Sequence, residues 1–267
     1  GEHHVELLED VRDRDVFLMQ SLRAPPGEHL LELLLLADAC RRAGAARVVA
    51  LLPYLAFARQ DRRDSPSQPL GARLIADLIG TRLDRAVVID LHSPAVEGCF
   101  SMPVEQLRCE DLLIERLRAT APSNAVVVSP DLGAMKRAEH FARALKVPAV
   151  VVHKSRISGS EVSAESLVGD VRGYAPILVD DMISTAGTVE AAVRVLLDAG
   201  CSSDITVCAS HGLFVGPAER RLSALPIRRI LVTDSVPPPS ALQLPVEQVS
   251  VAPLLADAIR RIHGNRA

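Results

Sequence analysis

Short apolar runs alternate along the chain with longer segments in which apolar residues recur every three or four positions. The longer segments have the spacing of amphipathic helices, and several of them close on glycine. The short runs predict strands at 15–21, 47–54, 85–92, 125–131, 148–154, 176–181, 204–211 and 228–235. Because these runs are apolar on both faces, the alternation predicts an α/β protein with mainly parallel sheets flanked by helices.

The order helix, glycine, strand, loop occurs twice, at 29–61 and at 187–214. This repeat predicts two similar α/β domains in tandem. We place the boundary in a proline-containing segment, so that the expected domains are 1–106 and 107–250, with a final helix at 251–264 completing the first. The chain begins at Gly1 without an initiator methionine, and we expect its first domain to be truncated.

Composition excludes several classes of function. The chain has 267 residues, 48% of them hydrophobic, so it can bury a sizeable core. Its formal net charge of -3, with no long basic stripe, argues against nucleic acid as a partner. No apolar run reaches membrane-spanning length, and five cysteines without a CxxC pair favour neither a zinc ribbon nor a disulfide framework. A cytoplasmic protein without a membrane partner is therefore expected.

The stretch ILVDDMISTAGT, residues 177–188, predicts a sugar-phosphate site. A buried strand ends in two acids, Asp180 and Asp181, and a small polar turn leads into the next helix. Backbone N–H groups of such a turn converge on one point and, with nearby hydroxyls, suit a phosphate. The acids would repel phosphate but can accept from vicinal sugar hydroxyls, which makes ribose 5-phosphate the obvious candidate. The expected phosphate loop consists of Ser184, Thr185, Ala186, Gly187 and Thr188.

Several blocks of the sequence resemble those of ribose-phosphate diphosphokinases, also called phosphoribosyl pyrophosphate synthetases. VDDMISTAGT is similar to their sugar-phosphate signature, and further blocks follow in family order at YLAFARQDRRD (54–64), VIDLHSPAVEGCFSMPVEQL (88–107), VVVSPDLGAMKRAEHFARAL (126–145) and VVHKSRISGSE (151–161). Phosphoribosyltransferases share the first loop but lack the ARQD and DLH blocks, so the synthetase family is favoured.

The resemblance implies two tandem phosphoribosyltransferase-like domains and a specific reaction. The diphosphoryl group of ATP would pass to the anomeric hydroxyl of ribose 5-phosphate, giving phosphoribosyl pyrophosphate and AMP, with Mg²⁺ as the required metal. It also implies a homo-oligomer, either a dimer or a hexamer.

The family places its catalytic cations at Lys154 and Arg156, just after a predicted strand. Both would stabilise negative charge on the transferring group. The polar segment 155–166 that contains Arg156 is expected to form a flap over the phosphates. Without the neighbouring blocks, this pair would be an ordinary basic pair at a strand end.

A second strand-to-helix turn is identified by the resemblance as the diphosphate loop, formed by Asp131, Leu132, Gly133 and Ala134. The family usually has a second glycine where this chain has Ala134. Asp131 is a candidate magnesium ligand, although an acid at this position also suits a helix cap.

The resemblance assigns the ATP site to residues of the first domain. His92 would belong to the ATP–magnesium site and is the second candidate metal ligand, although magnesium prefers oxygen. The other implied ATP-binding residues are Glu2, Arg59, Gln60 and Asp64. The chain has Ser65, Pro66, Ser67 and Gln68 where many relatives carry an arginine.

An alternative function stays open at this point. The chain could be a catalytically weak regulatory paralogue that assembles with an active synthetase. Such paralogues typically lose catalytic or metal-site residues, whereas this chain keeps Lys154, Arg156, His92, Asp131 and the acid pair. The enzyme is therefore the favoured prediction.

Overall fold

The structure is a computed structural model that describes residues 2–156 and 163–264, with side chains described for 2–153 and 166–264. The chain divides into two compact units. One comprises 1–108 together with 251–267, and the other comprises 109–250. The observed boundary lies two residues beyond the one expected from the sequence.

The first unit contains a four-stranded, fully parallel sheet in the order β1-β2-β3-β4. Buried apolar side chains of the strands and of two helices form its core. The elements are β1 (Asp15–Met19), α1 (Pro26–Arg42), β2 (Arg47–Leu52), α2 (Gly71–Gly80), β3 (Arg85–Ile89), a 3-10 helix (Pro94–Cys99) and β4 (Val104–Leu107).

The second unit contains a seven-stranded sheet, in which only one strand is antiparallel to its neighbour. Its elements are α3 (Glu110–Arg118), β5 (Ala125–Ser129), α4 (Met135–Leu145), β6 (Ala149–Arg156), β7 (Ser163–Val168), β8 (Ala175–Ile183), α5 (Gly187–Asp198), β9 (Ile205–Gly212), α6 (Ala218–Ser223), β10 (Ile227–Thr233) and β11 (Val246–Val249). The spatial order is β11-β10-β9-β8-β5-β6-β7, with β7 antiparallel to β6.

The strand order of this second sheet reverses between β8 and β5. The connection from β5 runs to β6 on one side, and the connection from β8 runs to β9 on the other. In an open α/β sheet, the two loops leave a crevice at the carboxyl ends of the strands where the order reverses, and ligands bind there. The topology therefore points to the loops after β5 and β8.

The final helix, α7 (Ala252–Gly264), belongs to the first unit. The guanidinium of Arg261 pairs with Glu105 at 2.6 Å, and Nη2 of Arg47 donates to the carbonyl oxygen of Ile262 at 2.8 Å. None of the helices in the part of the chain described is long and apolar enough to cross a membrane.

Each of the predicted strands is present in the structure, but three further strands were not predicted. β4, β7 and β11 were not predicted, and each lies at the edge of its sheet. Their sequences, VEQL, SAESLV and VEQV, mix acids and amides with apolar residues, so the continuous apolar signal of a buried strand is missing. The predicted strand 176–181 also extends further, to Ile183, so that both acids lie within β8.

Candidate active site

The predicted sugar-phosphate loop and diphosphate loop follow the two strands at which the sheet order reverses. β8 leads into residues 184–186, and β5 leads into residues 130–134. Because β5 and β8 are neighbouring parallel strands, both loops emerge at the same edge of the sheet.

The sugar-phosphate loop enters α5 through a left-handed residue. Ala186 has φ 59° and ψ 14°, a conformation that costs an L-residue about 1–2 kcal/mol. α5 then starts at Gly187, so that the last two residues of the expected phosphate loop form the first turn of the helix. The first N–H groups of a helix lack intrahelical partners and carry the positive end of its dipole. Thr185 is exposed and Ser184 and Thr188 are half-buried, so this turn is accessible to an anion.

Residues 213–215 and Arg221, whose role the sequence did not predict, hydrogen-bond to this loop and hold it in place. The backbone N–H groups of Leu213 and Phe214 donate to the carbonyl oxygen of Ile183, and that of Val215 donates to Ser184, at 2.9–3.1 Å. Nη1 of Arg221, in α6, donates to the carbonyl oxygen of Thr185 at 3.0 Å. The conformation of the loop is therefore fixed by tertiary contacts that the local sequence does not reveal.

Asp180 and Asp181 form a coupled acid pair within β8. Asp181 is 9% exposed, and its backbone N–H donates to Oδ1 of Asp180 at 2.8 Å. Burial, with smaller contributions from the charges of Asp181 and Asp131, raises the pKa of Asp180 to about 8. In the ligand-free chain the pair therefore retains a proton near neutral pH.

Asp131 combines a structural contact with an exposed position. Its Oδ1 accepts from the backbone N–H of Ala134 at 3.0 Å, and Oγ of Ser129 donates to its carbonyl oxygen at 2.6 Å. The carboxylate thus fixes the turn before α4, but it does not cap the helix, because α4 begins at Met135 and its N-cap residue, Ala134, has no side-chain cap bond. Leu132 and Gly133 of the same loop are exposed as well. The charge of Asp131 also acts on Asp180, which places the two loops within electrostatic reach of each other.

A buried polar cluster at the carboxyl ends of β9 and β10 was also missed. Nδ1 of His211 lies 2.8 Å from Oγ of Ser235, and Oγ1 of Thr233 donates to the carbonyl oxygen of Ser210 at 2.6 Å. All four residues are at most 1% exposed. Nη1 of Arg137, in α4, donates to Oγ of Ser210 at 3.1 Å. The sequence did indicate this cluster, because a polar Ser-His pair stands near the end of the otherwise largely apolar strand β9, ITVCASHG.

The expected ATP-site residues of the first unit lie on loops after two neighbouring strands. Arg59, Gln60 and Asp64 follow β2, and His92 follows β3; all four are exposed. β2 and β3 are parallel neighbours, so these loops emerge at one edge of their sheet. Gln60 packs against the start of α2, where a Cβ at Gly71 would collide with its side-chain amide. Glu2 is exposed in an irregular segment.

The backbone of Lys154 and Arg156 lies in the last part of β6. There it pairs with Glu165 and Ser163 of β7, beyond the last pairing with β5 at Val151. This part of β6 therefore extends from the edge of the sheet at which the two phosphate loops emerge. The side chains of Lys154 and Arg156 lie outside the described residues, as do residues 157–162 of the expected flap.

No group of three or more histidine, cysteine, aspartate or glutamate side chains that could hold a metal occurs where the structure describes side chains. Proteins commonly bind magnesium through one or two carboxylates, while substrate phosphates and water complete its coordination. Asp131 is an exposed carboxylate of this kind.

Comparison with known proteins gives the same assignment for both ends of the chain. Residues 1–82 match the family model described as the N-terminal domain of ribose phosphate pyrophosphokinase. Residues 159–267 match the phosphoribosyl synthetase-associated domain.

Curated relatives match over almost the whole chain. The chain is 42% identical to the ribose-phosphate pyrophosphokinase of Caldanaerobacter subterraneus over 98% of its own length and 84% of the relative's. It is also 42% identical to that of Rhodopirellula baltica, covering 100% of this chain and 86% of the relative. The crystal structure of phosphoribosylpyrophosphate synthetase from Mycobacterium smegmatis superposes with a TM-score of 0.91 at 38% identity, covering 98% of this chain and 87% of that one. With this identity over nearly its full length, the chain belongs to the ribose-phosphate pyrophosphokinase family.

Proposed function

We propose that this chain transfers the β,γ-diphosphoryl group of ATP to the anomeric hydroxyl of ribose 5-phosphate, giving phosphoribosyl pyrophosphate and AMP. A bond forms between the anomeric oxygen and the β-phosphorus, and the bond from that phosphorus to the α,β-bridging oxygen breaks. The observation that carries the proposal is the acid pair of β8 beside a phosphate-binding turn, at the reversal of the strand order.

Ribose 5-phosphate binds through both of its ends. Its phosphate accepts from the first turn of α5 and from the hydroxyls of Ser184, Thr185 and Thr188. Its vicinal hydroxyls donate to Asp180 and Asp181, which accept most strongly when both are ionised. Because the ligand-free pair holds a proton near neutral pH, binding of the sugar is coupled to release of that proton.

The diphosphate loop, residues 131–134, receives the transferring group. Gly133 has no side chain to cover its backbone, where a Cβ would lie 3.2 Å from Oδ1 of Asp131, and Asp131 is a ligand for Mg²⁺. The metal supplies charge neutralisation on the phosphate oxygens when it is bound. His92 contacts the magnesium complex of ATP, either as a ligand or by hydrogen bonding.

ATP is bound in the first unit by Glu2, Arg59, Gln60, Asp64 and His92. Arg59 pairs with triphosphate oxygens, and the amide of Gln60 reads an adenine edge. Lys154 and Arg156 stabilise the negative charge that develops on the diphosphoryl group. Their strand, β6, extends beyond β5 on the side of the phosphate loops, which supports this role.

The chain is proposed to act as a homo-oligomer, a dimer or a hexamer, in the cytoplasm. Exposed leucines at four-residue spacing on α1 (Leu31 and Leu35) and α2 (Leu74 and Leu78) give apolar helix faces that a second copy would cover. All five cysteines are free thiols, as a reducing compartment favours. Sedimentation that shows a fully active monomer would contradict the assembly.

Omission of substrates one at a time tests the proposal. With ATP, Mg²⁺ and ribose 5-phosphate present and no nucleobase added, chromatography should show AMP that accumulates with time. Leaving out ribose 5-phosphate should stop its formation. If no AMP forms from the complete mixture, the regulatory paralogue is the better account; AMP formed without the sugar would indicate an ATP diphosphohydrolase.

A further inference from the structure

We propose that Arg221 is a positioning residue for the sugar-phosphate loop, and that it sets the affinity for ribose 5-phosphate without contacting the reacting atoms. This inference rests on the proposed function of residues 184–188. Arg221 lies 33 residues beyond that loop, in α6, and nothing in the local sequence of the loop indicates its involvement.

The guanidinium of Arg221 contacts the loop at two points. Nη1 donates to the carbonyl oxygen of Thr185 at 3.0 Å, and a Cβ built on Gly187 would lie 3.2 Å from the same nitrogen. The side chain therefore lies against both neighbours of Ala186. These are the residues at which the chain changes from the strand into the first turn of α5.

The position of this contact matters because Ala186 is left-handed. A non-glycine residue keeps this conformation only where the surrounding structure fixes it. One hydrogen bond holds Ala186 itself, from the N–H of Glu190 to its carbonyl oxygen at 2.9 Å. The bond from Arg221 to Thr185 fixes the preceding peptide. Together they fix the direction of the N–H groups that receive the phosphate.

Arg221 is in turn held by a carboxylate of α5. Its Nε lies 3.1 Å from Oε2 of Glu190, and Oε1 of Glu190 accepts from Nη2 of Arg194 at 2.7 Å. The planar guanidinium can bond the carboxylate and the carbonyl at once, which a lysine ammonium cannot do in the same geometry. Arg221 thereby links the first turn of α5 to the loop that precedes it.

Arg194 provides a matched control. It pairs with the same carboxylate from the opposite oxygen, but its side chain is 70% exposed and its described bond is to Glu190 alone. Arg194→Ala removes one positive charge and one ion pair of Glu190, as Arg221→Ala does. Only Arg221→Ala also removes the bond to Thr185.

Calorimetric titration with ribose 5-phosphate tests the proposal directly. For Arg221→Ala we expect the dissociation constant to rise about tenfold, in line with the loss of one charged hydrogen bond. Arg221→Lys should recover part of the affinity, and Arg194→Ala should bind like the unaltered chain. In steady-state assays, the Michaelis constant for ribose 5-phosphate should rise in Arg221→Ala while that for ATP stays within about twofold.

Two outcomes would overturn the positioning role. One is an unchanged dissociation constant in Arg221→Ala; the other is an equal loss in Arg194→Ala, which would make the effect one of charge alone. Thermal melts of every variant identify unfolding, and if the alanine variant does not fold, Arg221→Lys decides the matter by its own dissociation constant. Formation of AMP by the unaltered chain is measured separately, so that failure of the proposed function is distinguished from failure of this inference.

Discussion

The backbone N–H of Asp181 donates a 2.8 Å hydrogen bond to the carboxylate of Asp180, its neighbour in β8. This bond favours the ionised form of Asp180, but burial and the charge of Asp181 outweigh it and raise the pKa. A strand interior gains no stability from two adjacent acids that oppose each other's ionisation. We propose that the donors of a ligand replace the retained proton, as the hydroxyls of ribose would.

Asp180→Asn and Asp181→Asn should each weaken the use of ribose 5-phosphate far more than that of ATP. A lost charged hydrogen bond is worth about 1.5–3 kcal/mol, which corresponds to a roughly 10- to 100-fold rise in the Michaelis constant for the sugar. Steady-state kinetics with each substrate varied in turn would measure this. Asp198→Asn, at the far end of α5, is the control and should behave like the unaltered chain. Equal effects on both substrates would remove the pair from the sugar site.

The affinity for ribose 5-phosphate should increase as pH rises from 7 to 9. Asp180, whose pKa is about 8, loses its proton over this range, and the ionised pair then accepts more strongly from the sugar hydroxyls. The phosphate of the sugar, with a second pKa of about 6, is already dianionic. The Michaelis constant for the sugar, followed across this range in the unaltered chain and in Asp180→Asn, should fall only in the former.

Stability supplies an independent check of the same pKa. The folded-state value lies above the unfolded value of about 3.9, so Asp180 contributes most to stability below that value. This contribution is lost as pH rises towards 8. The free energy of unfolding of the ligand-free chain should therefore decrease from pH 5 to 8 more steeply than that of Asp180→Asn. Parallel curves for the two proteins would show that Asp180 ionises normally.

Chelation of magnesium should abolish AMP formation, and added Mg²⁺ should restore it. Asp131→Asn keeps an oxygen that can accept from the N–H of Ala134 but removes the charge. We expect this variant to need several-fold more Mg²⁺ for half-maximal rate, and His92→Ala to show the same direction of change. An unaltered magnesium requirement in Asp131→Asn would leave the turn bond to Ala134 as the sole function of this residue.

Lys154→Ala should reduce turnover about 100-fold or more while both Michaelis constants stay near their original values. A donor that acts on charge formed in the transition state affects the rate and not substrate binding. Arg156→Ala should behave similarly, and the double variant should be less than additive. Arg228→Ala, which breaks an ion pair with Asp204, is the control. Turnover within a few-fold of the unaltered chain would exclude Lys154 from catalysis.

The sequence predicted best those strands that are buried on both faces of their sheet. The apolar inner strands of the two sheets, such as RVVALL in β2 and AVVVS in β5, were identified because parallel strands covered on both faces admit few polar residues. The strands β4, β7 and β11 were missed because acids and amides interrupt their apolar residues. Their pairing is set by tertiary neighbours and not by their own composition.

In the candidate site, too, features set by the local sequence were predicted, and features set by tertiary contacts were not. The phosphate turn and the acid pair lie within one continuous segment, so their residue types alone indicated a ligand. Arg221, by contrast, contacts that segment from a distant part of the chain. A contact of this kind depends on the register of β8 against β9, which the local pattern does not encode.

³¹P NMR of the reaction mixture distinguishes intact transfer of a diphosphoryl group to the sugar from hydrolysis of ATP. With ATP, Mg²⁺ and ribose 5-phosphate, we expect equal amounts of AMP and of a diphosphate coupled to the anomeric position of the sugar phosphate. Orthophosphate and free pyrophosphate should not accumulate. ADP with orthophosphate, AMP with free pyrophosphate, or an unchanged spectrum would contradict intact transfer.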